Sequence, residues 1–259
     1  MSCWLTIPSK RPPEEAEKCL KLWWERGYKI ALFCDEPFQG WGSVCDELLT
    51  GEYPGYAVTV NRLVRVVSRE YSDAEWFIAA GDDVEPDLNH SAEEIAVQCR
   101  AYFHGVNRAR GVPFNEGCEV IDTFGVMQPT GDRWGENPKA QNPAHRSAYI
   151  DRVAGSAWIG REFAKRVNQG RGPLWPEYFH MGVDEELQAV AQMLGVFWQR
   201  PDLIQLHKHW GRAKEGEVMG HRRNMPKFLE RANSAEEWDK YKALFAKRQA
   251  AGFPGSELL

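Results

Sequence analysis

Glu75-Trp76-Phe77-Ile78-Ala79-Ala80-Gly81-Asp82-Asp83-Val84-Glu85-Pro86-Asp87 decides how this chain reads. Residues 75–80 are a short run, apolar on both alternating faces, which predicts a strand buried on both sides. It passes directly into Asp82, Asp83, Glu85 and Asp87. In open α/β sheets ligands sit beyond the carboxyl ends of the strands, so these acids stand where a ligand binds. Adjacent carboxylates are costly unless a cation neutralises them, and Mg²⁺ or Mn²⁺ is the natural oxygen-bound partner. A metal held there can stabilise a departing pyrophosphate. The plainer reading of the same letters is a turn with capping acids, which Pro86 suits.

Upstream, residues 3–8 form a first strand ending in Ser9-Lys10-Arg11-Pro12-Pro13. Pro12 or Pro13 then opens a helix with Glu14, Glu15 and Glu17 in its first turn, and Leu20, Trp23 and Trp24 on its apolar stripe. Gly27 ends that helix, and Lys29 to Cys34 is a second buried strand closed by Asp35-Glu36-Pro37. The β–α–β order predicts a parallel sheet covered by helices. Residues 38–57 are Gly-rich and aromatic and read as a long loop. Val58 to Tyr71 reads as a helix lined by Val60, Val64, Val67 and Tyr71.

Downstream, Ser91 caps a helix with Glu94 as the reciprocal box residue. Val120–Met127 and Asp151–Ile159 are strand-like, and Gln128–Ala148 is a long polar loop of the length that usually carries function. Arg161–Val167 and Asp184–Leu194 read as helices, Leu203–Leu206 as a strand, and the chain beyond Gly211 as mostly helical, with a start signal at Ser234. Asp184 and Glu185 open their helix, where acids stabilise the dipole in any case. Alternation along Leu206-His207-Lys208-His209 puts both histidines on one face, able to reach one ion or phosphate. Lys208 and Arg212 are further phosphate candidates.

The bulk properties fit a globular protein of 259 residues: 43% hydrophobic, 27% charged, net charge −5. No stretch approaches the roughly 18 apolar residues of a membrane span. The N-terminus lacks a basic segment followed by an apolar one, so the expected location is the cytoplasm. Six cysteines show no CxxC pair and read as reduced core residues. A P-loop and a GxGxxG are both absent, which argues against ATPase and dinucleotide-oxidoreductase chemistry.

In order, these features resemble the GT-A fold of nucleotide-sugar-dependent glycosyltransferases, over about residues 3 to 212: a strand ending in Thr6-Ile7-Pro8-Ser9, a strand ending in Asp35, a helix with Asn61, Arg62 and Arg65, and a buried strand leading to the acidic cluster. The resemblance implies an α/β fold with a mostly parallel central sheet flanked by helices and a helical C-terminal extension over residues 213–259. It implies Thr6, Pro8 and Arg11 around the base and ribose, Asp35 beside the base, and Asn61, Arg65 and Asp82 as polar contacts to the nucleotide sugar. Gly155 and Ser156 would lie beneath the donor sugar. Asp83 would be the direct metal ligand, completed by His207 or His209, and Asp184 or Glu185 the acceptor-side base. Where the family's commonest pattern is Asp-x-Asp, this chain has Gly81-Asp82-Asp83.

The implied reaction uses Mn²⁺ or Mg²⁺ and a nucleotide-sugar donor, a UDP-sugar first. The chain also resembles small phage-type members, some of which glycosylate hydroxymethylated pyrimidines in DNA. Eight Lys/Arg against four Asp/Glu in 200–231, with Arg-rich sequence at 100–110 and 161–171, suit a DNA acceptor. A polysaccharide or lipid-linked glycan suits them too. A reading from another class is a non-catalytic sugar- or nucleotide-binding module, for which 11 Trp would serve.

Overall fold

Strand β1 (Ser2–Pro8) is buried from Cys3 to Ile7 because it runs through the middle of the sheet. Its parallel neighbours are β2 (Lys29–Cys34) on one side and β4 (Ala74–Ala79) on the other. The computed structural model describes residues 1–35, 45–111, 121–212 and 225–256. Between β1 and β2 runs helix α1 (Pro13–Glu25), with Pro13 in the first turn, where a missing N–H costs nothing. Ala16, Leu20 and Trp23 face the sheet, but Trp24 is 61% exposed: the contact stripe is narrower than expected. Helix α2 (Tyr56–Glu70) buries Val60, Val64 and Val67 as expected.

Within the stretch read as loop, β3 (Glu47–Thr50) forms an edge strand parallel to β2. Only one face of it packs, so four residues carried too little apolar pattern to announce it.

In the second half, α3 (Ala92–Ala109) starts with the expected reciprocal cap of Ser91 and Glu94. Four short strands and helices follow: β6 (Val126–Pro129), β7 (Ala157–Gly160), α4 (Arg161–Arg166) and α5 (Val183–Met193). Then come β8 (Phe197–Arg200) and, after one further short strand described below, α6 (Ala235–Ala250), capped by Ser234. The seven-stranded sheet has the order β3-β2-β1-β4-β7-β6-β8. Only β7 runs against its neighbours β4 and β6. The expected fold class, α/β with a mostly parallel central sheet flanked by helices and a helical C-terminal part, is the one present.

Three strand expectations shift. The strand expected over 120–127 is a 3₁₀ turn at Ile121–Thr123 followed by β6, and position 120 lies outside the described residues. The strand expected over 151–159 shrinks to β7, which leaves Gly155 and Ser156 in the loop before it. The strand expected at 203–206 moves to Leu206–His207, and β8 was not foreseen.

Those last residues are β9 (Leu206–His207), which pairs antiparallel with β5 (Val84–Glu85) in a separate ribbon. The Lys208 N–H extends it by donating to the Asp83 carbonyl at 2.7 Å. This ribbon brings the acidic cluster to the histidines.

Arg161 closes the C-terminal end of α2, donating to the carbonyls of Ser68, Tyr71, Ser72 and Ala74. A cation is favoured there by the dipole. Trp4, Trp23, Trp76 and Trp158 are fully buried, so much of the Trp content serves the core. Among the described residues no helix is long and apolar enough to cross a membrane. The expected boundary at 212/213 falls at the edge of residues 213–224, which lie outside those described.

Candidate functional site

Asp82 and Asp83 share a turn but have different partners. Ser9 donates to Asp82 Oδ2 at 2.5 Å and Arg11 Nε to Oδ1 at 3.0 Å. Both oxygens are therefore engaged in holding the exit loop of β1. Burial pushes the Asp82 carboxyl up despite the opposing pull of Arg11 and Ser9.

Asp83 faces the other way. Its Oδ1 lies 3.4 Å from His207 Nε2, and its Oδ2 4.0 Å from Arg11 Nη2. Burial works to raise it, but His207, Arg11 and His209 outweigh that and hold it below the ordinary carboxylate range.

The donor set suits a divalent cation. Two ligands bound at about 2.1 Å in octahedral or tetrahedral geometry stand about 3.0–3.4 Å apart. The Asp83–His207 separation is of that size. His209 lies with its ring 5.0 Å from that of His207. It sits in the turn after β9, so the pairing of the two rings comes from that turn and not from strand alternation. Its Nδ1 accepts the Gly211 N–H at 2.9 Å, so the neutral ring carries its proton on Nε2. Burial holds His209 near 4, so the ring is neutral at working pH. Among the described residues, no group of three or more His, Cys, Asp or Glu is placed to hold a metal ion, so Asp83 and His207 stand as a pair.

The loop 130–134 supports this arrangement from behind. Asp132 Oδ2 accepts the His207 N–H at 3.1 Å and pairs with Arg212, which also donates to the His207 carbonyl. Asp87 Oδ2 accepts the Ile204 N–H at 2.8 Å. The Trp134 ring lies 4.8 Å from that of His209 and 4.8 Å from that of Tyr149, tilted against both, with the Arg212 guanidinium 5.1 Å from its centre. Tyr149 is 48% exposed, so this aromatic cluster opens to solvent beside the Asp83–His207 pair.

Asp184 stands in the first turn of α5. Gly182 precedes α5 at φ +88°, a conformation that favours glycine, and turns the chain into the helix. A Cβ built on Gly155 would lie 3.8 Å from Asp184 Oδ2, so the loop before β7 borders this carboxylate with bare backbone. Burial, with Glu185 adding to it, pushes Asp184 up to about 7, while His207 on β9 pulls the other way. A carboxyl poised there can accept a proton near neutral pH. Glu185 is tied to Tyr241, whose hydroxyl donates at 3.5 Å.

Other expected contacts resolve unevenly. Pro8 ends β1 at the rim, half-buried, beside Arg11. Asp35 pairs with Lys10 at 2.8 Å, and its Oδ1 is buried without a hydrogen-bond partner among the described residues. Such an oxygen suits a ligand N–H.

Thr6 does not face a ligand. It is fully buried and donates to the Ile78 carbonyl at 3.1 Å. Asn61 is likewise structural, bonding the Leu174 N–H at 3.0 Å and the Leu174 carbonyl at 2.7 Å. Ser156 is buried, its hydroxyl facing Gln128 at 3.4 Å and its carbonyl accepting from Gln205 at 3.0 Å. Arg65 is exposed on α2, nine residues or about 13 Å along the helix from Tyr56 at the site end. Lys208, considered for phosphate, pairs with Glu85.

Three residues at the site were not singled out from sequence. Ser9 organises the loop through Asp82. Tyr56 donates to the Ala80 carbonyl at 3.1 Å beneath the acidic turn. His180 packs edge-on to Tyr56 at 5.6 Å, and burial lowers it to about 4, with Asp83 opposing that shift. His180 lies four residues before Asp184, so its proximity was the available signal.

No protein-family model matches the chain, and no curated protein matches its sequence. Among solved structures, it is similar to the catalytic domain of Drosophila beta1,4galactosyltransferase 7 in complex with xylobiose. That match has 13% identity and a TM-score of 0.46, covering 93% of this chain and 79% of the other. It is also similar to a glycosyltransferase involved in the glycosylation of the major capsid of PBCV-1, at 14% identity and a TM-score of 0.28, covering 61% of this chain and 59% of that one. Residue roles do not transfer at such distances and rest on this chain's own geometry.

Proposed function

We propose that this chain is a metal-dependent glycosyltransferase that moves a sugar from a nucleoside diphosphate sugar, a UDP-sugar first, to an acceptor hydroxyl. The observation that carries the reading is the convergence of three groups at the sheet's carboxyl end. Asp83 and His207 stand at metal-ligand separation, and Asp184, held near 7, lies close enough to be felt by His207. A divalent ion between Asp83 and His207, with His209 beside it, would neutralise the diphosphate as it departs.

The chain's own groups do the rest. Asp35 and Pro8 border the nucleoside end, and Arg11, next to both acids of the turn, adds positive charge on the diphosphate side. Asp184 takes the acceptor's hydroxyl proton as the new bond forms at the anomeric carbon. The bond from that carbon to the diphosphate breaks, and its electron pair leaves with the nucleotide. With Asp184 the one acid of its turn without a side-chain partner among the described residues, the reading is an inverting displacement.

Several described cations in the three basic stretches are committed internally: Arg100 to Glu75 and Asp122, Arg161 to four carbonyls, Arg200 to Asp202, Lys208 to Glu85, Arg212 to Asp132. Arg108, Arg110, Lys227 and Arg231 are exposed and leave a DNA acceptor open to test. The pairing of exposed Tyr149 with Trp134 favours a glycan hydroxyl, since sugar rings pack on aromatic faces.

The test is hydrolysis of UDP-glucose and UDP-galactose with Mn²⁺, then transfer to oligosaccharides and to hydroxymethylcytosine DNA. Manganese-dependent release of UDP supports the class. Failure to bind any sugar nucleotide with any divalent ion would sink it. Transfer to the DNA alone would restore the nucleic-acid acceptor.

A further inference from the structure

The first turn of α5 presents three consecutive acids, Asp184, Glu185 and Glu186, and among the described residues only Asp184 has no side-chain partner. Successive helix residues point about 100° apart, so a small rotation of this turn would offer the site a different carboxylate. Two of the three are held by the C-terminal helix. Arg248 of α6 grips Glu186 with Nε at 2.9 and 2.8 Å from its two oxygens and Nη2 at 2.5 Å. Both side chains are buried. Tyr178 donates to the same carboxylate at 2.8 Å.

The guanidinium is itself fixed. It lies 3.4 Å from the Trp175 ring centre, and its Nη1 donates to the Pro254 carbonyl at 3.1 Å. Tyr241, two turns earlier on α6, holds Glu185 at 3.5 Å. The entry to the turn is clamped as well: a Cβ on Gly182 would lie 2.6 Å from the Tyr241 ring and 2.9 Å from the Tyr178 ring.

A buried ion pair is a poor way to gain stability, because well-packed apolar residues do as well or better. It is a good way to fix an orientation. We propose that α6 braces the acidic turn of α5, with Arg248 as the positioning residue that keeps Asp184, and neither neighbour, aimed at the reacting hydroxyl. The proposal rests on Asp184 being the base. The titratable groups around Asp184 are Glu185 in its own turn, His207 from β9 and Tyr56 from α2.

The experiment compares Arg248→Met, Arg248→Lys and Asp184→Asn with the parent full-length chain. Two readouts are taken: the Asp184 titration by carboxyl ¹³C NMR, assigned through Asp184→Asn, and manganese-supported hydrolysis of UDP-glucose and UDP-galactose. In Arg248→Met the turn loosens and takes up water, so the Asp184 midpoint falls from about 7 toward ordinary carboxylate values. Its kcat falls by about 30-fold or more with the KM for the sugar nucleotide unchanged. Arg248→Lys keeps the midpoint and recovers most of kcat.

A folded Arg248→Met with parental midpoint and kcat overturns the brace. If that variant does not fold, Tyr241→Phe decides: it removes one hydroxyl from Glu185, and a parental midpoint together with parental kcat overturns the brace equally. The titration needs no sugar nucleotide. Full activity in Asp184→Asn would therefore defeat the base assignment, separately from the fate of the brace.

Discussion

The proposed nucleotide side of the candidate site and its proposed acceptor side are built on different principles. The first is the regular part: β1, β2 and β4 run parallel, and their exit loops deliver Ser9, Arg11, Asp35, Asp82 and Asp83 within one neighbourhood. The second is assembled from a two-residue ribbon, a glycine turn, a long polar loop and a buried ion pair on the last helix. Backbone ladders position the donor side, whereas side-chain contacts between distant segments position the acceptor side. Substitutions on the acceptor side should therefore change chemistry at constant donor binding, and those on the nucleotide side should change ligand or metal binding.

The largest expected break is Asp184→Asn. It removes the proton acceptor, so kcat should fall by about 10²–10⁴ with the donor KM retained. The same substitution sharpens the comparison through stability. Asp184 keeps its proton in the folded chain up to about 7, whereas the unfolded chain loses it near 4. The folded state binds more protons between those values, so this residue costs stability as pH rises through that window. Thermal unfolding should show Asp184→Asn gaining on the parent from pH 5 to pH 8, and no gain at pH 8 would mean the carboxyl is not buried. The parent's kcat should rise with pH through the same region.

Next in size is the metal. His207→Ala should raise the Mn²⁺ concentration for half-maximal activity by about 10–100-fold, measured by metal titration of hydrolysis. His209→Ala should raise it less, because its Nδ1 is engaged with Gly211. A reversed order would exchange their roles. Smaller still is Asn61→Ala, which should cost about 1–3 kcal/mol in urea unfolding through the lost Leu174 contacts, at unchanged KM per folded molecule. Arg65→Ala, exposed on α2, should leave both quantities within error; a rise in donor KM would return it to the site.

The same contrast explains what the sequence let one read. The nucleotide side announced itself because its strands are buried on both faces, and such strands appear as unbroken apolar runs ending in polar letters. Its contact residues were harder. Thr6 and Asn61 sit at the right places in the chain, yet their side chains are spent on Ile78 and Leu174, a choice that depends on packing remote in sequence. On the acceptor side the acids at 184–186 and the histidines at 207 and 209 were visible as letters. Which acid was free was not, because Tyr241 and Arg248 make that selection from α6. Strands β3, β5 and β8 escaped notice for a related reason: two to four residues are too few for a period to show.

The β5–β9 ribbon also bears on how the protein is made. Val84 and His207 meet across a long stretch of chain, so Asp83 acquires its histidine partner only after β9 has been synthesised. A nascent chain that has exposed only the parallel half carries Asp82 and Asp83 without the histidine opposite them. Assembly of the proposed metal pair is in this way deferred until β9 has left the ribosome.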